Sequence, residues 1–417
     1  MGILLFVALT TVAGAVVVWA APGIAPAVLA ADSVVVEVIH AYRPTAIQYL
    51  PWIAAAAVVM WVALRRSRRD AVAPNMALAA AAAAYGLWVL VVSLVHWPSD
   101  RLYAIGIPGA LVVLFWALPR LVTVRTTETT FRQLLATTAA AGAILAVTAG
   151  SAALVRHIGF VVPVGHRTLL AWQWPFANKN TLGFLEAWAV PAAVALAVLS
   201  RGWARLGWWG VALVAGFGLV FSYARTGWIA AAVGVLVLAM GTWRWRGVTG
   251  VLAALAVGAA VLVKKDGIRR LTNLWAHGLS GRAGLWRASL TVGVHHWLFG
   301  VGPGNSPAAL APLVAPVFRG LTPSNAYLET LVELGVVGLV LLLVAVAVAL
   351  KAAIAHAPTR PLGWAWLALL AAGLTEQLAE SGFLGGLSFE DYLFTALLAS
   401  VMVWQGAGMA ARRRRRA

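Results

Sequence analysis

Cysteine is absent from the 417 residues, which excludes a disulfide, a thiolate metal site and a cysteine nucleophile. Acidic side chains are scarce: 13 Asp and Glu stand against 31 Lys and Arg, a formal net charge of +18. Charged residues of both signs together make up 11% of the chain, whereas 62% is hydrophobic; no water-soluble globular domain has that balance. Short strands of alternating polarity, the mark of a membrane β-barrel, are missing, as are an internal repeat and paired halves. The first apolar run, 2–21, lacks a positive n-region and ends in Ala20-Ala21-Pro22, a poor cleavage context, so it reads as a retained span. No set of His, Asp and Glu has metal-ligand spacing, so neither metal nor another cofactor is expected. His295-His296 is a poor metal pair, because neighbours on a helix face different ways, and reads as packing.

What is present is apolar sequence in runs of about 20 residues, the length that crosses about 30 Å of hydrocarbon. The fold class is therefore an all-α integral membrane protein. Twelve spans are predicted: 2–21, 46–64, 76–95, 102–118, 133–155, 180–200, 206–222, 228–242, 247–263, 326–350, 362–380 and 390–408. Arg65 to Arg69, Arg120/Arg125/Arg132, Arg201/Arg205, Arg244/Arg246, Lys351/Arg360 and the terminal arginines 412–416 fall on alternate connections. The positive-inside rule puts these in the cytoplasm, with both termini. The connections 22–45, 96–101, 156–179, 223–227, 264–325 and 381–389 then lie outside. The chain reads as one polytopic membrane domain, 1–417, with 264–325 an outer helical loop forming part of the active site. Positive charge on cytoplasmic anchors accounts for much of the basic balance, so no nucleic acid partner is implied; the lipid bilayer is the first partner.

The 264–325 loop is basic and outside. Seven Lys and Arg (264, 265, 269, 270, 282, 287 and 319) face one acid, Asp266, a net of +6. Long loops translocate despite such charge, but the charge then calls for an anionic partner. The connection 156–179 repeats the theme with Arg156, His157, His166, Arg167 and Lys179 and no acid.

Four constellations stand out at these outer ends. Asn178-Lys179-Asn180-Thr181 enters the sixth span, with Glu186 about two turns in; Asn180 or Thr181 caps a helix, or the segment draws an anion to a helix start. Ser222-Tyr223-Ala224-Arg225-Thr226-Gly227-Trp228 is a short turn whose Arg225 either snorkels at the interface or presents a guanidinium fork to phosphate. Ser280-Gly281-Arg282 with Trp286 is an amphipathic helix on the membrane or the source of a second anion-binding arginine. Ser324-Asn325, followed by Gly335-Val336-Val337-Gly338, is a helix cap with a small-residue packing face or part of a site. Glu376 and Glu380, four residues apart, share a face at the end of the eleventh span.

Together these segments resemble the O-antigen ligase and O-antigen polymerase superfamily. The resemblance rests on Phe176-Ala177-Asn178-Lys179-Asn180, Ser222-Tyr223-Ala224-Arg225, Ser280-Gly281-Arg282 with Trp286, His296-Trp297-Leu298-Phe299-Gly300-Val301-Gly302-Pro303-Gly304, and Asn325-Ala326-Tyr327-Leu328-Glu329 running to Gly335 and Gly338. It implies a metal-independent inverting glycosyltransferase in the bacterial inner membrane, its active site facing the periplasm. The donor would be an undecaprenyl-diphosphate-linked oligosaccharide and the acceptor a glycan or lipid-linked glycan. The family's two outer arginines fall on Arg225 and Arg282. Ligases carry a His just before the Asn of the last motif, where this chain has Ser324. A hydroxyl is no general base near neutral pH, so the expected activity is surface-polysaccharide polymerase. O-antigen ligase, attaching glycan to lipid A-core, is the alternative, and a lipid-linked glycan flippase the second. The expected catalytic residues are Arg225, Arg282 and, as bases, Glu376 and Glu380. Substrate binding is expected from Asn178, Lys179, Asn180, Arg156, Trp286, Ser324, Asn325 and Tyr327.

Overall fold

A computed structural model describes residues 2–21, 24–42, 49–65, 76–96, 101–121, 127–164, 167–176, 178–242, 247, 249–251, 282–357, 361–380 and 395. The helices are α1 (Gly2–Ala20), α2 (Ala25–Tyr42), α3 (Leu50–Arg65), α4 (Met76–Val95), α5 (Arg101–Val112), α6 (Leu118–Leu121), α7 (Thr127–Arg156), α8 (Lys179–Leu199), α9 (Gly202–Ser222), α10 (Arg225–Thr242), α11 (Arg282–His295), α12 (Ser306–Leu310), α13 (Ala326–His356) and α14 (Pro361–Glu376). Among the described residues, α4, α7, α8, α9, α10 and α13 are long and apolar enough to cross a membrane, and five further helices are apolar but shorter. The chain is a multi-pass membrane protein.

One expectation is corrected. The stretch 22–45, read as an outer connection, contains α2, which packs against α1, α3 and α7. Its Asp32 broke the apolar run that marks a span, yet Asp32 is buried and its carboxylate lies against Gly14 of α1. The connection 156–179 has local structure of its own. It holds an antiparallel hairpin, Phe160–Val164 paired with Arg167–Ala171. The β-branched run Val161-Val162 favours strand over helix. The hairpin's end is fixed where Trp172 N donates to Phe221 O and the two rings stack at 4.8 Å. Most of the expected span 247–263, the span 390–408, the loop 264–281 and the arginine tail lie outside the described residues.

α8 is the hub. In its most apolar stretch 83% of residues are buried, against 22% in α9, and α7, α9, α10 and α14 all pack on it. Small residues allow that approach: Ala187, Ala189, Ala192, Ala193, Ala195 and Ala197 are all fully buried. Glu186 is also fully buried, its carboxyl lodged between α7 and α9; a Cβ on Gly142 or Gly218 would stand 2.7 Å from one of its oxygens. Near its start, Gly183 meets the turn between α9 and α10 so closely that a Cβ there would lie 2.1 Å from Ala224 Cβ.

α13 is broken, not straight. Gly335 adopts φ 70, ψ −171, a conformation open to glycine and costly for other residues. The sequence suggested a small-residue packing face here; the glycine instead makes the break, and a Cβ on it would stand 2.2 Å from Leu298 O. Four of the groups the break frees find partners, as buried backbone requires. Val332 O accepts from Val301 N at 2.8 Å, Glu333 O from Gly302 N at 3.0 Å, and Leu334 O from Trp88 Nε1 at 2.8 Å. Val336 N donates to Trp297 O at 2.6 Å. The Glu333 carboxylate completes the joint, accepting from Gly304 N at 2.6 Å and Ser306 N at 3.3 Å. The glycine-rich turn after α11 is thus stitched into the gap in α13.

Candidate anion and glycosyl-transfer site

One end of the helix set gathers the outer constellations. α8 begins there with Asn178 as its cap, backbone extended (φ −125, ψ 134), Oδ1 accepting from Asn180 N at 2.9 Å. The sequence suggested Asn180 or Thr181 as cap; the helix starts earlier, because Asn178 already satisfies one of the helix's unpaired amides. Lys179 is thereby its first helical residue, where a cation opposes the helix dipole. Acceptors offset that: Lys179 Nζ donates to Asn180 Oδ1 and to Tyr223 O, each at 3.2 Å.

Tyr223 O is available because α9 ends in a tight turn. Tyr223 takes the left-handed conformation (φ 54) and Ala224 N donates to Ser222 Oγ at 3.2 Å. Arg225 then opens α10. A Cβ on Gly227 would stand 2.6 Å from Gly183 O, so the two glycines hold Arg225's turn against the start of α8.

Arg282 opens α11, and its Nη2 donates to Glu380 Oε1 at 2.5 Å. Arg225, Arg282 and Glu380 all lie near enough to Lys179 to act on its charge. Lys179 of α8 thus has Arg225 of α10 and Arg282 of α11 near it, and Arg282 and Lys179 both act on the carboxylate beyond the end of α14. Burial pushes the Glu380 carboxyl up to about 7, against the opposing pull of Arg282 and Lys179. Four helices, α8, α10, α11 and α13, start at this end with their partial positive charge toward it.

α13 is tied to the same place. Asn325 caps it, Oδ1 accepting from Leu328 N at 2.9 Å, while Nδ2 donates to Leu378 O at 2.8 Å. Ala326 N donates to Gln377 O at 3.0 Å. Ser324, the expected cap, sits one residue too early in a left-handed turn (φ 51). An amide side chain both accepts and donates, so Asn325 caps α13 and ties it to α14 together. Ser324 therefore stands beside the segment that leads to Glu380.

The remaining expected site residues divide. Glu376 is fully buried and accepts from Trp188 Nε1 of α8, so the two acids on one face separate into a core group and a site group. Tyr327 is half-buried and packs against the core. Trp286 packs with Leu285, Leu310, Val314 and Phe318 beneath the loop. Arg156 is exposed at the end of α7, and no contact described at the cluster involves it. His295 and His296, expected to be packed, are exposed; the apolar side of α11 is formed by Leu285, Ala288 and Val292 instead. Glu333, Trp188 and the 377–378 carbonyls went unremarked in the sequence. The glycine-rich turn at 300–304, whose buried amides need acceptors, was the one signal for Glu333. Among the described residues no three His, Asp or Glu gather as metal ligands.

Residues 210–343 match the family model described as O-antigen ligase, Wzy_C. The match spans Arg225, Arg282 and the Asn325–Gly338 segment, and it supports the resemblance that the motifs carry to the O-antigen ligase and polymerase superfamily. No curated protein matches the chain. A solved chain described under "Structural coordination of polymerization and crosslinking by a peptidoglycan synthase complex" aligns with 80% of this chain and 99% of its own, at 17% identity and a TM-score of 0.42. A likeness at that level does not establish a shared fold.

Proposed function

We propose, from the premise that residues 210–343 form an O-antigen ligase-type domain, that the protein transfers glycan from an undecaprenyl-diphosphate carrier at the outer face of the bacterial inner membrane. In this reading the site is periplasmic, opposite the basic connections at Arg201 and Arg205, and it needs no metal. The observation that carries the reading is the cluster of three cations, Arg225 and Arg282 near Lys179, with Arg282 paired to Glu380.

The charges suit such a donor. Three cations and one carboxylate leave an excess of two positive charges, and each phosphodiester group carries one negative charge. Arg225 and Arg282 would fork onto the diphosphate, as guanidinium groups do. The acceptor hydroxyl attacks the anomeric carbon from the face opposite the diphosphate. The C1–O bond breaks, its electrons go to the leaving diphosphate, and the hydroxyl proton goes to Glu380. That proton removes one negative charge from the site as the diphosphate gains one, so the local balance is kept. Hydrogen-bond donors and cations fixed in advance where charge develops supply much of the rate enhancement in such catalysis. Glu376 then serves as a support, held by Trp188 in the core.

Polymerase is the preferred acceptor class. Ser324 stands where ligases carry an imidazole, and Glu380, two residues beyond the Leu378 carbonyl that holds Asn325, takes the part of base. The family model, described as O-antigen ligase, fits both readings. A flippase would move carrier-linked glycan without forming a product. The test is glycan chain length after incubating proteoliposomes with carrier-linked repeat units. Longer carrier-linked chains support polymerase, transfer onto lipid A-core supports ligase, and flux without product overturns the enzyme reading.

A further inference from the structure

α11 has two opposite faces. Leu285, Ala288, Ser289, Val292 and Gly293 are buried, and Gly293 meets Leu331 of α13. On the other side Leu290 is 50% exposed and Val294 71%, and Trp297 just past the helix is 60% exposed. Arg287 lies on the same exposed side. From 282 to 328 the chain has no Asp or Glu, and of its basic residues Arg282 is the one paired with an acid from elsewhere, Glu380, among the described residues.

The height of α11 relative to the bilayer follows from its contacts. Phe299, four residues past its end, stacks on Trp88 at 5.4 Å. Trp88 lies seven residues before the end of the apolar helix α4, about 10 Å inward at 1.5 Å per residue. At its other end α11 starts on Glu380, just beyond α14. The helix therefore runs across the ends of the spans and descends between them, rather than standing above the membrane in water. An apolar face buried about 5–10 Å into the headgroup and acyl boundary, flanked by arginine, is how interfacial helices sit.

We infer that the Leu290–Val294–Trp297 face of α11 is seated in the lipid headgroup layer and binds anionic lipid through Arg287. The occupant is lipid rather than protein because the face lies level with the span ends and Arg287 has no ion-pair partner among the described residues. The arrangement would make α11, whose first residue is Arg282, a wall between the bilayer and the cation cluster, and this seating does not depend on which reaction the cluster performs.

The absence of cysteine makes the test direct. Val294→Cys and, separately, Leu290→Cys are labelled with bimane in the full-length protein. The variants are reconstituted in nanodiscs of phosphatidylcholine with or without phosphatidylglycerol. The expected result is quenching by lipids brominated high on the acyl chain, shielding from aqueous iodide, and deeper placement when phosphatidylglycerol is present. Arg287→Glu should abolish the phosphatidylglycerol effect without changing the elution profile. Iodide quenching at both positions overturns the inference. Resistance to both quenchers also overturns it, since a protein partner or a second copy would then cover the face. Equal depth in the two lipid mixtures overturns the role given to Arg287.

Discussion

Arg282 and Glu380, 98 residues apart in sequence, form an ion pair of 2.5 Å between the start of α11 and the segment beyond α14. The pair links the basic loop to the last helix described in full. It also holds the carboxylate beside Arg282 and near Lys179 while burial keeps its proton affinity high. A carboxyl poised at about 7 is a competent general base near neutral pH.

A pH profile tests that role. Glu380 is protonated below about 7 and ionised above it, so transfer should rise with pH through about 7 and then level off. Glu380→Gln should remove the step and leave a low, flat rate. The linkage to stability runs the other way. A carboxyl whose folded value is raised favours folding below its unfolded value, and that contribution is lost as pH rises through about 7. Thermal stability of the wild type should therefore fall over the window in which activity rises, and Glu380→Gln should lose this dependence. A wild-type profile with no step near 7 would sink the base assignment.

Arg225→Ala and Arg282→Ala should each lower transfer by on the order of 10²–10³ at unchanged protein level. Arg→Lys should restore only part of it, because an ammonium keeps the charge and loses the fork. Steady-state rates in proteoliposomes, normalised to protein, decide this. Near-normal turnover in either alanine variant removes that arginine from the site.

Much of this site was legible in the sequence, for physical reasons that can be named. Arg225 stood out because a very short turn leaves a cation few places to go. Arg282 stood out because of the charge excess in its loop. The ring that closes on Glu380 was not legible, since it depends on a contact across 98 residues. Periodicity equally could not divide Glu376 from Glu380. Four-residue spacing gives them one face, and only the position of Trp188 shows that one points into the core. α2 was hidden by Asp32, which interrupts hydropathy but is accommodated by Gly14. The break in α13 was hidden because Gly335-Val336-Val337-Gly338 reads equally well as a small-residue helix face.

Sidedness can be tested with single cysteines. Val317→Cys, in the exposed segment after α12, should react with a membrane-impermeant thiol reagent applied to intact cells from the periplasmic side. Ser200→Cys, in the turn between α8 and α9, should react only after permeabilisation. The basic connections at Arg201 and Arg205 motivate the assignment. The reverse labelling pattern would place the cation cluster on the cytoplasmic side and exclude the proposed donor geometry.

The start of α13 separates two neighbouring residues. Asn325→Ala removes a cap, worth about 1 kcal/mol, and also the tie to Leu378 O, so both stability and transfer should fall. Ser324→Gly keeps the left-handed turn and deletes only the hydroxyl. It should leave stability nearly unchanged and turnover within about threefold, as expected for a position that makes no helix cap. A large loss of turnover in Ser324→Gly, at normal melting temperature, would give the hydroxyl a direct part in binding acceptor or donor.

The break in α13 predicts how the site is held in place. Gly335→Ala adds a Cβ where Leu298 O already stands, in a conformation that costs non-glycine residues about 1–3 kcal/mol. It should lower the melting temperature and the yield of folded protein. Glu333→Gln is the gentler probe. Its side chain keeps one acceptor for the amides of Gly304 and Ser306 and turns a donor toward the other, leaving a buried mismatch worth about 1–3 kcal/mol. The turn from 299 to 305 should loosen, measured as faster amide exchange in that peptide, while α7 to α10 keep their protection. Since α11 and the Asn325 cap flank this joint, transfer should drop along with the protection. Unchanged exchange in 299–305 with lost transfer would mean that Glu333 acts on the chemistry by another route, and unchanged exchange with full transfer would mean that the joint does not govern the site.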